Sequence, residues 1–132
     1  LAEPLVIDAN PIISALLGDT ARELLFSHKF LFFSTQHTLF EVEKYLPNLA
    51  KRLDRPEEEL YREFQLLSIT VCQANEYDAH IKRANDLIGG RDAKDIPILA
   101  LTLCLGCPLW TEDRDFDNLS DILVRHTADL IG

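Results

Sequence analysis

Leu5-Val6-Ile7-Asp8-Ala9-Asn10-Pro11-Ile12-Ile13-Ser14-Ala15-Leu16-Leu17-Gly18 reads as a buried strand, a single acid, then a helix closed by glycine. Three aliphatic residues in a row suit a strand covered on both faces. Asn10-Pro11 has the pattern of an N-cap followed by a proline in the first turn, and Gly18 supplies the stop. A strand running through an acid into a helix opens an α/β domain with a parallel sheet.

The same rhythm continues outward from that unit. Asp19 or Thr20 caps a second helix carrying Ala21, Leu24 and Leu25, and Phe30-Leu31-Phe32-Phe33 suits a central strand. Ser34 or Thr35 opens a helix toward Leu46, after which Pro47 and Pro56 divide the chain into short helices, including Glu57 to Leu67. Ile69-Thr70-Val71-Cys72 is a third strand, and Glu76 to Ile88 a helix stopped by Gly89-Gly90. A helix from Asp92 or Ala93 to Leu105, a strand at Pro108–Thr111 and a short strand at Ile122–Val124 complete the pattern. Residues 1–132 hold no repeat or linker and read as one domain.

Composition narrows the function. Of 132 residues, 47% are hydrophobic and 27% charged, which excludes a disordered tail or a disulfide miniprotein. Thirteen basic against 22 acidic residues leave a net charge of −9, which argues against a broad cationic face for duplex nucleic acid. Three cysteines and no signal-like start point to a reducing compartment. No run approaches the roughly 20 apolar residues of a membrane span. A soluble, cytoplasmic domain with no membrane contact is expected. Cys104 and Cys107 have redox or zinc spacing but no second pair, so core cysteines are expected there. The four histidines show no metal-ligand spacing.

The acids fall where ligands bind in open parallel sheets, beyond the carboxyl ends of strands. Asp8 ends the first strand; Asp113 and Asp115 follow the fourth. Asp92 and Asp95, three apart, open the helix before it, where the helix dipole favours the ionised form. Glu41 lies among Leu39, Phe40, Val42 and Leu46, with no basic partner expected for it or for Asp8. Carboxylates gathered at one rim cannot all stay ionised without a positive charge between them. Mg²⁺ or Mn²⁺, hard ions taking oxygen ligands, meet that need and would serve phosphodiester hydrolysis.

Val6-Ile7-Asp8-Ala9-Asn10-Pro11, Thr38-Leu39-Phe40-Glu41-Val42, Asp92-Ala93-Lys94-Asp95-Ile96-Pro97-Ile98-Leu99-Ala100-Leu101 and Leu109-Trp110-Thr111-Glu112-Asp113-Arg114-Asp115-Phe116 together resemble a PIN domain. The resemblance spans nearly the whole chain. It implies a single-domain, three-layer α/β/α fold with a central, mainly parallel five-stranded sheet. It also implies a metal-dependent endoribonuclease, either a toxin with an antitoxin partner or a stand-alone RNA-processing enzyme. Asp8, Glu41, Asp95 and Asp113 match the four metal-binding, catalytic acids, with Asp92 and Asp115 as supporting acids. Asn10, Ser14 and Thr111 match polar positions that orient them. The substrate implied is single-stranded or structured RNA.

Plainer readings stand beside these. Asp8 also suits a turn acid, Glu41 a solvated helical glutamate, and Asn10 a simple helix cap. Lys51, Arg52 and Arg55 form the densest basic cluster and offer an RNA path or merely a solvated face. Leu60, Tyr61, Phe64 and Leu67 pack internally or build the contact of a homodimer, which the family resemblance favours. A catalytically silent RNA- or protein-binding module is the rival function. A phospho-acceptor receiver domain is weaker, because no acceptor acid follows Val71-Cys72-Gln73.

Overall fold

Strand β1 (Glu3–Ile7) feeds two cores at once, because its side chains alternate across the sheet. Leu5 and Ile7 enter one apolar cluster and Val6 the other, all at most 1% exposed. The computed structural model describes residues 1–131; Gly132, the last residue of the expected domain, lies outside the described residues. After β1 come α1 (Ala9–Leu17), α2 (Thr20–Leu25), β2 (Phe30–Thr35), α3 (Gln36–Leu53) and α4 (Glu57–Gln65). Then follow β3 (Ile69–Cys72), α5 (Ala74–Tyr77), a 3₁₀ turn (Asp78–His80), α6 (Ile81–Ile88) and α7 (Asp95–Leu105). The chain ends with β4 (Leu109–Trp110), a 3₁₀ turn (Arg114–Phe116), β5 (Val124–Arg125) and α8 (Thr127–Leu130).

The five strands lie in the order β3-β2-β1-β4-β5, and every pair is parallel. One face is covered by α1 to α4, which contribute Ile12, Leu24, Val42, Leu46 and Leu60 to the first cluster. The other face is covered by α5 to α7, through Tyr77, Ala84, Ile88 and Ile98–Leu101. The result is the expected three-layer α/β/α arrangement. Each fully buried aliphatic side chain contributes about 1.5–3 kcal/mol of transfer free energy. Trp110 reaches from β4 into the first cluster, its ring 5.9 Å from that of Phe32. No helix among the described residues is long and apolar enough to cross a membrane.

Several element boundaries differ from the sequence expectation, each for a local reason. Asp8, not Asn10, caps α1: its carboxylate accepts from the Ala9 N–H, and its backbone is extended while Asn10 is already helical. Pro47 does not end its helix, and α3 runs unbroken to Leu53. Leu46, Leu49 and Ala50 stay buried on both sides of the proline, and that burial outweighs the lost hydrogen bond. The helix expected over Glu76–Ile88 is two helices joined by a tight 3₁₀ turn, following the turn that buries Tyr77. Helix α7 starts at Asp95 rather than Asp92 or Ala93, because the Asp92 side chain accepts from the Lys94 N–H and holds 92–94 in a turn. The last strand sits at Val124–Arg125, and α8 had no counterpart in the sequence pattern. Leu60 is buried and Phe64 and Leu67 pack on the first cluster, leaving only Tyr61 of the expected dimer contact exposed.

Candidate functional site

Strand order reverses between β1 and β4: the chain builds β1, β2 and β3 in one direction, then crosses to the far side of β1. In open α/β sheets ligands bind at such a reversal, beyond the carboxyl ends of the strands, here β1 and β4. Register brings Ile7 opposite Trp110, and the Asp8 N–H donates to the Trp110 carbonyl at 3.0 Å. The next residues, Asp8 and Thr111, meet there. Thr111 Oγ1 donates to Asp8 Oδ2 at 2.7 Å, while Asp8 Oδ1 accepts from the Ala9 N–H at 2.8 Å. Thr111 Oγ1 also accepts from the Asp113 N–H at 3.1 Å, which ties the loop after β4 to the same carboxylate. On the other flank, the buried Ser34 Oγ donates to the Ile7 carbonyl at 2.9 Å and fixes the end of β1 against β2.

Around this pair the acids share one electric field. The Asp8 carboxyl is raised above its ordinary range, chiefly by burial; bonds from Thr111 and Ala9 oppose the shift, and the Asp113 charge adds to it. Asp95 is pushed up to about 6, first by burial and then by Asp8, Asp113, Asp92 and Asp115 in that order. The helix dipole expected to keep Asp95 ionised is thus outweighed by burial, with the neighbouring acids adding to it. Asp113 bears on both Asp8 and Asp95, whereas Asp115 bears on Asp95 alone. Asp115 is exposed, with Arg91 Nη1 4.0 Å from its carboxylate and Arg91 Nη2 donating to its carbonyl at 3.2 Å.

Glu41 stands apart. It lies on the second turn of α3, is not among the charges acting on Asp8 or Asp95, and has Lys44 Nζ at 3.7 Å. That pairing corrects the expectation that no base stands beside it. Among the polar residues expected to orient the acids, Thr111 bonds Asp8 directly. Asn10 is exposed in the first turn of α1 and Ser14 is partly buried a turn further on. The basic trio lies elsewhere: α3 leaves the acid rim at Thr35 and carries Lys51 and Arg52 to its far end, about 24 Å away. There Arg55 is engaged by Glu59 and Glu63 on α4.

Three supporting residues are not evident from the sequence: His126, Ser34 and Arg91. His126 Nδ1 donates to the Thr111 carbonyl at 2.7 Å and Nε2 lies 2.9 Å from Asp117 Oδ1, so this ring clamps the loop bearing Asp113. Ser34 and Arg91 act in the same supporting way. Only a contact fifteen residues away in the chain reveals His126; for Ser34, its place in the last turn of an apolar strand is a local clue.

The PIN domain family pattern matches residues 6–121. The chain belongs to the PIN-domain family. No curated protein matches the sequence. In fold, this PIN domain is similar to a chain of the DNA-bound VapBC from Salmonella typhimurium, at 17% identity and a TM-score of 0.74, covering 96% of this chain and 99% of the other. It is also similar to a chain of VapBC2 from Rickettsia felis bound to a promoter DNA fragment, at 12% identity and a TM-score of 0.67, covering 93% and 98%.

Whether the PIN-domain acids suit a divalent ion is a question of donor chemistry. The donors are all oxygen, the acids lie close enough for their charges to add to the burial that raises Asp95, and among the described residues no cation bonds Asp8. Those features fit Mg²⁺ or Mn²⁺ rather than zinc. Among the described residues, no three acids, histidines or cysteines close into a ready-made cage.

Proposed function

We propose that this PIN domain is a Mg²⁺- or Mn²⁺-dependent endoribonuclease and the toxin half of a toxin–antitoxin pair. The observation that carries the reading is the convergence of Asp8, Asp95 and Asp113 at the strand-order switch, with Asp95 raised to about 6 first by burial and then by the charges of the other acids. Asp8, Asp95 and Asp113 would hold the ion, Glu41 would complete the set from α3, and Asp92 and Asp115 would support it. Once bound, a divalent ion neutralises phosphate charge and lowers the pKa of a water for in-line attack. The chain's own part is positioning: Thr111 fixes the Asp8 carboxylate, and His126 fixes Thr111. No side-chain nucleophile is needed. The antitoxin partner is proposed from the likeness to VapBC assemblies, and a homodimer belongs to the same reading.

The test is Mn²⁺-dependent cleavage of single-stranded RNA by wild type, Asp8→Asn and Asp95→Asn. Cleavage by wild type that stops in EDTA and in both variants is expected. Activity that survives EDTA, or survives both substitutions, overturns the mechanism. The ion pair between Glu41 and Lys44 favours one rival, a catalytically silent RNA- or protein-binding module. Wild type that binds RNA but never cuts it selects that rival.

A further inference from the structure

Helix α3 carries His37, Phe40, Glu41 and Lys44 at helical spacing, so they form one stripe from its first turn. Phe40 is 55% exposed, and Lys44 Nζ sits 4.9 Å from its ring centroid. Beside the ring a recess of about 310 Å³ opens between the starts of α3 and α5, lined by Gln36, His37, Phe40, Ala74 and Tyr77. His37 Nε2 is buried without a hydrogen-bond partner, the one such side-chain nitrogen or oxygen among the described residues. A buried polar atom left unpaired is unfavourable, and so is an aromatic ring left in water. A flat ligand with a π-face and a polar edge relieves both.

Position says what that ligand is. The recess lies over the ends of β2 and β3, where Thr35 pairs with Cys72. The β1–β2 register, carried on from Val6↔Phe33, sets Thr35 one strand spacing, about 4.8 Å, from Asp8. The recess thus adjoins the acid crevice and shares its helix face with Glu41. A chain of net charge −9, with its basic trio at the far end of α3, has little charge with which to hold a polyanion. Stacking of bases on aromatic rings supplies affinity that does not depend on charge.

We propose that this recess is a nucleobase subsite for the RNA substrate, with Phe40 as the stacking platform and His37 meeting the base edge; the proposal rests on the ribonuclease reading. Lys44 then faces the adjoining phosphate. The base stacked on Phe40 belongs to a nucleotide neighbouring the one whose phosphate meets the acids, so the recess contributes to cleavage-site preference.

Binding of a short fluorescent single-stranded RNA is measured by anisotropy in the Asp95→Asn background with Mg²⁺, alongside RNAs carrying one abasic nucleotide at each position in turn. Phe40→Leu is expected to weaken binding about tenfold, and Phe40→Tyr to restore it. One abasic position should cost the Phe40 protein a similar factor and cost Phe40→Leu nothing more. His37→Leu should flatten the preference among the four bases at that position. If a cleaving wild type keeps its RNA affinity in Phe40→Leu, or if the abasic and Phe40→Leu losses simply multiply, the subsite falls while the nuclease reading stands. If the wild type neither binds nor cuts RNA, the nuclease reading falls and the subsite with it. Loss of self-association in Phe40→Leu at unchanged RNA affinity marks the recess as a protein contact and overturns the proposal.

Discussion

One hydroxyl, that of Thr111, serves two strangers in sequence: it donates to Asp8, 103 residues away, and accepts from the Asp113 backbone. Thr111→Val keeps the shape and removes the donor, leaving Asp8 still more averse to ionising. Loss of about 1–3 kcal/mol is expected in urea unfolding, with divalent-ion affinity down about 10–100-fold by calorimetric titration; Thr111→Ser should recover most of both. Asp95 carries the opposite kind of effect. Its folded pKa of about 6 exceeds the ordinary 3.8, so on raising pH the unfolded chain releases this proton first. The metal-free fold is therefore favoured below about pH 4 and loses that advantage as pH climbs through about 6. Asp95→Asn should raise the melting temperature at pH 7 in EDTA, leave it unchanged near pH 3.5, and abolish cleavage. The acids were legible because apolar runs mark where strands end, and Asp8, Asp113 and Asp115 stand just past those ends. The cap of α1 was not: Asp8 and Asn10 are equally good capping types, and only the extended backbone at Asp8 decides between them.

Helix α3 shows why a proline is a weaker boundary than its chemistry suggests. Pro47 lacks the N–H that would bond the Glu43 carbonyl, yet it sits on the solvent side, while Leu46, Leu49 and Ala50 continue the buried stripe. Pro47→Ala restores the missing bond and should stabilise the protein by about 1–2 kcal/mol, less than the full helical penalty because the unfolded chain gains freedom. Equilibrium unfolding measures it; a destabilised variant would show that the proline ring itself contributes to the fold. The apolar period runs straight through residue 47, and in the structure it outweighs the proline as a boundary signal. The reverse error occurred at Glu76–Ile88, where an unbroken pattern hid a tight turn, because the inward seat of Tyr77 depends on neighbours far along the chain. Strands β1, β2 and β3 were legible to within two residues. Strands β4 and β5, two residues each, are too short to carry a period of their own, yet the apolar runs at Pro108–Thr111 and Ile122–Val124 place them to within two residues as well.

For the whole molecule, charge sets the terms of binding. Net −9 and a basic trio remote from the acids leave few cations to neutralise a strand. The affinity of single-stranded RNA should therefore fall only gently with salt, with a log–log slope for well under six phosphates; a slope for six or more would place a cationic groove where none is described. Saturating Mn²⁺ should raise the melting temperature at pH 7, by about 2.7 kcal/mol of stability at a hundredfold excess over Kd, and far less at pH 5, where protons compete for the same oxygens. Fold class was readable at this scale from the alternation of elements; the layout of charge was not, since it depends on which way α3 points. The place of β1 in the sheet has one more consequence. Of the five strands it comes earliest in the sequence and yet sits in the middle, with β4, its neighbour at the acid rim, arriving only after residue 108. While the ribosome is still adding α7, the nascent chain already contains Asp8, Glu41 and Asp95 but has no second wall to hold them. A chain cut short before β4 therefore lacks Thr111 and Asp113, and Asp8 is left without the hydroxyl that orients its carboxylate.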